Sequence, residues 1–139
     1  MQKIDKKILD TIKNNVQVIC DIQEDNVEDR IKDISKVQHS IFIRFAYEAN
    51  ELNTIETKMK ELYGTLYRHY KFNDNHSWET KGEIESQIYA DQKYQTLLIE
   101  CNKQKYIVKE LEGCLDNIKT VSFQIKNLIA LLKYKAGMY

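Results

Sequence analysis

The feature that most constrains this chain is a seven-residue repeat of apolar positions through its last third. In steps of three and four, Tyr94, Leu97, Cys101, Gln104, Val108, Leu111, Leu115, Ile118, Ser122, Ile125, Ile129 and Leu132 fall on one line of a helix. With these as the a and d positions, Ile107, Cys114, Val121 and Leu128 occupy g. The apolar face is then wider than a two-stranded seam and requires at least two neighbouring helices. Near the end, Phe123, Leu128, Ile129, Leu131, Leu132 and Tyr134 point in nearly every direction, and a helix that is apolar all round is normally covered all round. A chain of 139 residues has little else with which to cover it. Other copies are therefore expected to help, in a homo-oligomer sealed through Leu115, Ile118, Phe123, Ile125, Leu128, Ile129 and Leu132.

Upstream, Ile4, Ile8, Ile12, Val16 and Ile19 recur at helical spacing and predict a short helix within residues 1–22. Asp25 followed by Glu28 resembles a capping pair that opens a long helix over 26–71. The stripe of that helix is Ile34, Ile41, Phe45, Leu52, Ile55, Met59, Leu62 and Leu66, interrupted by Glu48 and His69. The chain has no proline and four glycines, so nothing forces a break until the Asn- and Asp-rich stretch after Phe72, which favours a turn. A bend over 72–82 and a C-terminal helix over 83–136 complete the reading. Helices of this length reach ~65 to 70 Å at the usual rise per residue. The expected fold is a single all-α domain, a long antiparallel helical hairpin with a short N-terminal helix and coiled-coil-like heptads.

Formal net charge is zero, but its distribution is uneven: residues 21–33 hold six acids against Arg30 and Lys32, whereas 117–139 hold four lysines and no acid. No apolar run approaches the ~18 residues of a membrane span, and the first residues lack the core of a signal peptide. A cytoplasmic, non-membrane protein is expected. The three cysteines lack paired spacing, and Cys101 and Cys114 sit on the apolar stripe as small core residues. His39, His69 and His76 have no partner at i+3 or i+4, and no phosphate loop, Gly-x-Gly-x-x-Gly or Gly-x-Ser-x-Gly occurs. The expectation is a non-enzyme without metal or cofactor.

One constellation is locally dense. Tyr67, Arg68, His69, Tyr70, Lys71 and Phe72 are followed by His76, Trp78 and Lys81. Rings interleaved with cations suit single-stranded nucleic acid, because a ring stacks on any base while Arg and Lys neutralise phosphates. The same residues also suit a structural role: Tyr63, Leu66 and Tyr70 continue the apolar stripe, and Trp78 can cap the end of a bundle. A line of Lys119, Lys126 and Lys133 at e positions adds basic surface, or is a solvated face.

The order of these features resembles the UvsY family, the recombination mediators of T-even-type bacteriophages. The resemblance is carried by Ile84-Glu85-Ser86-Gln87-Ile88-Tyr89-Ala90-Asp91, by Leu115-Asp116-Asn117-Ile118-Lys119 through Ser122-Phe123-Gln124-Ile125-Lys126-Asn127, and by Ala136-Gly137. Upstream, Leu52-Asn53-Thr54-Ile55-Glu56 to His69-Tyr70 resembles the family's Ile-Glu to Tyr-Tyr segment, so the likeness spans roughly residues 52–137. It implies a closed, ring-like homo-oligomer in the infected host cell that binds single-stranded DNA and helps the recombinase UvsX replace single-strand-binding protein. The family's basic pair before the Tyr-Tyr segment is matched here by Gly64 and Leu66. DNA-contacting charge is thus expected at Arg68, Lys71 and Lys81, or at Lys58 and Lys60, beside Tyr67, His69, Tyr70 and Trp78. A structural or adaptor coiled coil is the alternative, and attachment of 123–139 to a membrane surface a third.

Overall fold

The computed structural model describes residues 3–72 and 80–137. Its fold is all-α, as the sequence predicts: α1 (Lys6–Cys20), α2 (Val27–Lys71), α3 (Lys81–Ala90) and α4 (Gln92–Lys135). They fall into two compact units, one of residues 1–47 and 107–139, the other of residues 48–106.

In the first unit α1 starts where the Asp5 side chain accepts the Ile8 N–H at 2.8 Å, satisfying one of the donors a helix start leaves open. The turn to α2 is tied by Asn26 rather than by the expected Asp25–Glu28 pair. Asn26 accepts from the Gln23 N–H at 2.8 Å and donates to the Asp21 carbonyl at 3.2 Å. Leu9, Val16 and Ile19 of α1, Ile34 and Ile41 of α2, and Leu111, Cys114, Ile118, Val121 and Ile125 of α4 form one core. The first part of α2 lies antiparallel to the last part of α4, with Lys135 near Glu24 at 3.6 Å and Phe42 across a groove from Leu115. Lys13 pairs with Glu110 at 2.8 Å, which sets α1 beside α4. α1 is thus one of the neighbours that the wide heptad face requires.

The second unit departs from a plain hairpin. The expected helix over 83–136 is two helices divided at Asp91. Asp91 ends α3 through its backbone N–H, which donates to the Ile88 carbonyl at 3.0 Å, and begins α4 through its carboxylate, which accepts from the N–H groups of Lys93 (2.9 Å) and Tyr94 (3.2 Å). It also accepts from the Tyr70 hydroxyl at 3.1 Å, while the Tyr63 hydroxyl donates to Glu85 at 3.2 Å. The two bonds join residues 22 and 21 apart, so α3 runs in the same direction as the end of α2. Leu66, Ile84 and Ile88 are its buried core, under Leu62, Tyr63, Tyr67, Tyr70 and Tyr94.

Farther along, the two polar interruptions of the apolar stripes meet. Glu48 is 4% exposed, and Gln104 donates to both its carboxylate (2.6 Å) and its carbonyl (2.8 Å). Among the described residues no helix is long and apolar enough to cross a membrane.

Two outcomes test these placements. Ile118, with no exposed surface, should lose about 2–5 kcal/mol of stability as Ile118→Ala, read by denaturant unfolding. At Asp91 partial burial acts to raise the pKa, but the Tyr94 N–H, the Tyr70 hydroxyl, the Lys93 N–H and the Lys93 charge outweigh it and hold the pKa below the ordinary value. A depressed folded-state pKa stabilises fully above the unfolded value near ~3.9 and is lost as pH falls through the folded one. Asp91→Ala should therefore lower Tm at neutral pH, by a gap that closes as the wild type is acidified below pH ~4.

Candidate nucleic-acid interface

The cations and rings near the end of α2 are neighbours in sequence, but the helix sorts them by angle. At about 100° per residue, Lys60, Tyr67 and Lys71 fall within an arc of about 40°, with Gly64 about 20° and Arg68 about 60° beyond it. Lys58 and His69 project on the opposite flank, beyond the buried stripe of Ile55 and Leu66. The helix therefore lines up Lys60, Tyr67 and Lys71 along one edge with Arg68 beside it, Lys60 about two to three turns from the others, and sets Lys58 and His69 across the buried stripe from Tyr67. Lys60, Arg68 and Lys71 are exposed, and among the described residues none of the three is in an ion pair.

Within that arc the chemistry is specific. The Lys71 ammonium stands 5.9 Å from the centroid of the Tyr67 ring and 5.5 Å from that of Phe72. Both distances are within cation–π range, so the charge is held against two rings rather than left on a free stem. Tyr67 also stacks on Tyr63, centroids 6.3 Å apart and planes 26° from parallel. Phe72 is 70% exposed. A helix end with an open ring, a half-buried ring and two cations offers stacking and phosphate contacts at once.

Tyr70 has another task. Its ring packs on the small core, its edge meets His69 at 5.1 Å, and its hydroxyl is spent on Asp91. Partial burial, then the bond to Asp91 and the charge of that carboxylate, raise the hydroxyl's pKa and keep it a donor. Tyr70 is a brace between α2 and the start of α4. Sequence reading grouped it with the binding residues because its partner lies 21 positions away.

Lys81 also moves. Expected beside the bend residues, it begins α3, and the parallel packing sets it level with Met59 and Lys60, roughly 16 Å from Lys71 along the axis of α2 at 1.5 Å per residue. There it lies 4.0 Å from Glu85 in an exposed pair, a contact that holds it weakly. Trp78 and His76 lie outside the described residues. The basic-aromatic constellation is thus an edge of α2, with Lys60 toward one end and Arg68 and Lys71 at the other.

Gly64 sits along this edge. A Cβ built there would meet nothing within 4 Å, so packing inside the chain does not demand a glycine, although one in a helix interior costs about 0.5–1 kcal/mol relative to alanine. Sequence reading treated Gly64 only as missing charge.

The expected oligomerisation set divides as well. Ile118 and Ile125 are buried in the first unit's own core, and Leu115, Leu128 and Ile129 pack against it half-buried. Ile118 and Ile125 have almost no surface left for contact with another copy, because α1 and α2 already cover them, whereas the half-buried Leu115, Leu128 and Ile129 keep part of theirs. Leu132 is half-buried, and Phe123 alone of the set is well exposed, at 65%. Leu131 and Tyr134, outside the set, share its outward face and are 48% and 67% exposed. Lys119 and Lys126 border that face in the grooves beside Phe42 and Phe123.

Comparison with protein-family models, with curated proteins and with solved structures finds no match. Among the described residues no three His, Cys, Asp or Glu side chains are grouped so as to hold a metal ion.

The division of labour between the tyrosines can be read directly. Tyr70→Phe should cost up to about 1 kcal/mol in stability, since the lost hydrogen bond is partly solvated, while the exposed edge stays intact. Tyr67→Ala should weaken single-strand binding, measured by anisotropy of a labelled oligo-dT, about fivefold or more, the loss of one stacked base.

Proposed function

We propose that this chain is a non-catalytic recombination mediator, a homo-oligomer that binds single-stranded DNA and promotes loading of a recombinase by displacing single-strand-binding protein. The observation that carries the binding step is the Lys71 ammonium held between Tyr67 and Phe72, with Arg68 and Lys60 exposed on the same side of α2. An ordered cation against open rings is suited to a strand whose bases are free to stack, and unsuited to a closed duplex. The mediator step rests on the resemblance of residues 52–137 to the UvsY family. In that reading the partners are single-stranded DNA, the recombinase, the single-strand-binding protein and further copies of the chain.

Self-association is supported by the outward face of α4. Phe123, Leu131 and Tyr134 keep about half or more of their surface in water, and three large apolar side chains on one helix face are a reason for a second copy to bind. Assembly supplies what one subunit lacks. Several short basic edges engaging one strand can raise avidity by ~10² to 10⁴ without any strong individual contact. A strand held at several points is constrained in path, which favours release of a protein that needs it in another shape.

The salt dependence of binding tests the reading. Log affinity for oligo-dT should fall linearly with log salt, at a slope of ~0.7 per neutralised phosphate. Arg68→Ala with Lys71→Ala should reduce both affinity and slope with the assembly size unchanged. A protein without measurable affinity at low salt would be an adaptor coiled coil instead. For assembly, Phe123→Ser with Leu131→Ser should yield a smaller, folded species in light scattering. An unchanged mass would put the contact on another surface.

A further inference from the structure

We propose that Gly64 is the point at which the bound strand crosses α2, its missing side chain leaving a notch in which a sugar–phosphate backbone lies against the helix between Lys60 on one side and Tyr67 and Arg68 on the other. The inference rests on the single-strand reading above and gives that site its path and its steric limit. A Cβ at Gly64 would have no neighbour within 4 Å, so among the described residues nothing fills the notch. Residues three and four apart are neighbours on a helix surface, which places Lys60, Tyr67 and Arg68 around the notch and Lys71 one turn farther on. Glycine is the residue that lets a ligand approach backbone closely. The flanks supply what such a ligand needs, cations for phosphate and the Tyr67 ring for a base.

The notch is fitted to a nucleic-acid strand rather than to a second copy of the chain. Its surroundings on the outward face are Thr57, Lys60, Glu61, Arg68 and Lys71, all exposed and polar. A second helix would find almost no apolar surface to bury there, and two such edges side by side would set three cations against three with only Glu61 on each to offset them. Gly113 provides the contrast. It too is a helical glycine with nothing within 4 Å of its Cβ position, but it borders a groove shared with Lys13, Val16, Gln17 and Cys20 of α1, and neither these nor its helix neighbours Lys109, Glu110, Asp116 and Asn117 include a ring. The two glycines are alike as helix residues and differ in their neighbours.

The test compares Gly64→Ala and Gly64→Leu with Gly113→Ala in the full chain, using labelled oligo-dT and a matching duplex. Both alanine variants should raise Tm, because each improves helix propensity at an unfilled position. Gly64→Leu should weaken oligo-dT binding roughly tenfold, about the contribution of one stacked base, with Gly64→Ala intermediate. Gly113→Ala should bind as the wild type does. If the wild type binds and Gly64→Leu binds equally well, the strand does not cross at Gly64, and only this inference falls. If Gly64→Leu changes the mass of the assembly, another copy rather than DNA covers the notch, and the inference is overturned. If the wild type does not bind oligo-dT at all, the single-strand reading falls and takes the inference with it.

Discussion

A carboxylate buried in an apolar seam leaves the chain few choices, and Glu48 is such a group. Left without hydrogen bonds, a buried charge costs several kcal/mol, a large share of the ~5–15 kcal/mol that holds a domain folded. Gln104 answers it with one amide that reaches both the carboxylate and the carbonyl. Sliding α4 by one heptad would bring Leu97 or Leu111 into its place, and neither has a donor. Apolar side chains fill space almost equally well in several registers, so leucine and isoleucine stripes alone fix the pairing poorly. The polar pair selects one register, and that register also sets Leu97 beside Leu62 in the same unit.

Asp91 plays a comparable part at the other end of that unit. A helix start needs an acceptor, a half-buried tyrosine hydroxyl is held by one too, and one carboxylate serves both. Because the backbone N–H of the same residue closes α3 on the Ile88 carbonyl, the chain reverses there without proline or glycine. The change of direction depends on hydrogen bonds rather than on a residue that cannot be helical.

This explains what could be read in the sequence. Apolar periodicity set the bounds of α1 and α2 closely and marked the start of the last seam at Tyr94, since burial acts on every turn of a helix. The division at Asp91 was hidden because Ile84 and Ile88 are themselves at helical spacing and, after Gly82 in the first turn, nothing up to Gln92 disfavours helix strongly. Glu48 and Gln104 stood out singly as breaks in two stripes, but their meeting depends on a separation of 56 residues. In the candidate site, nearness in sequence suggested one cluster. Angle around α2 removes Lys58 and His69, the bond to Asp91 makes Tyr70 a brace, and parallel packing carries Lys81 to the level of Lys60. The heptads likewise showed which face of α4 is buried but not what buries it. In the first unit α1 takes much of that surface, which is why Ile118 and Ile125 are core and the outward residues are Phe123, Leu131 and Tyr134.

The arrangement also bears on how a chain of zero net charge could hold a polyanion. Long-range attraction from such a protein is weak, so binding must come from local charge acting over about a Debye length, ~8 Å at physiological salt. Lys60 and the Arg68–Lys71 pair are separated by more than that along α2, so a strand in contact with one gains little from the other unless it follows the helix between them. The residues in between then matter more than the count of cations. On the proposed reading, Gly64 keeps that path open, Tyr67 supplies a ring along it, and repetition of the short path over several subunits turns a weak contact into a useful one. A continuous basic face would hold the strand more tightly on each subunit. It would also release it less readily, and a mediator has to hand its strand on.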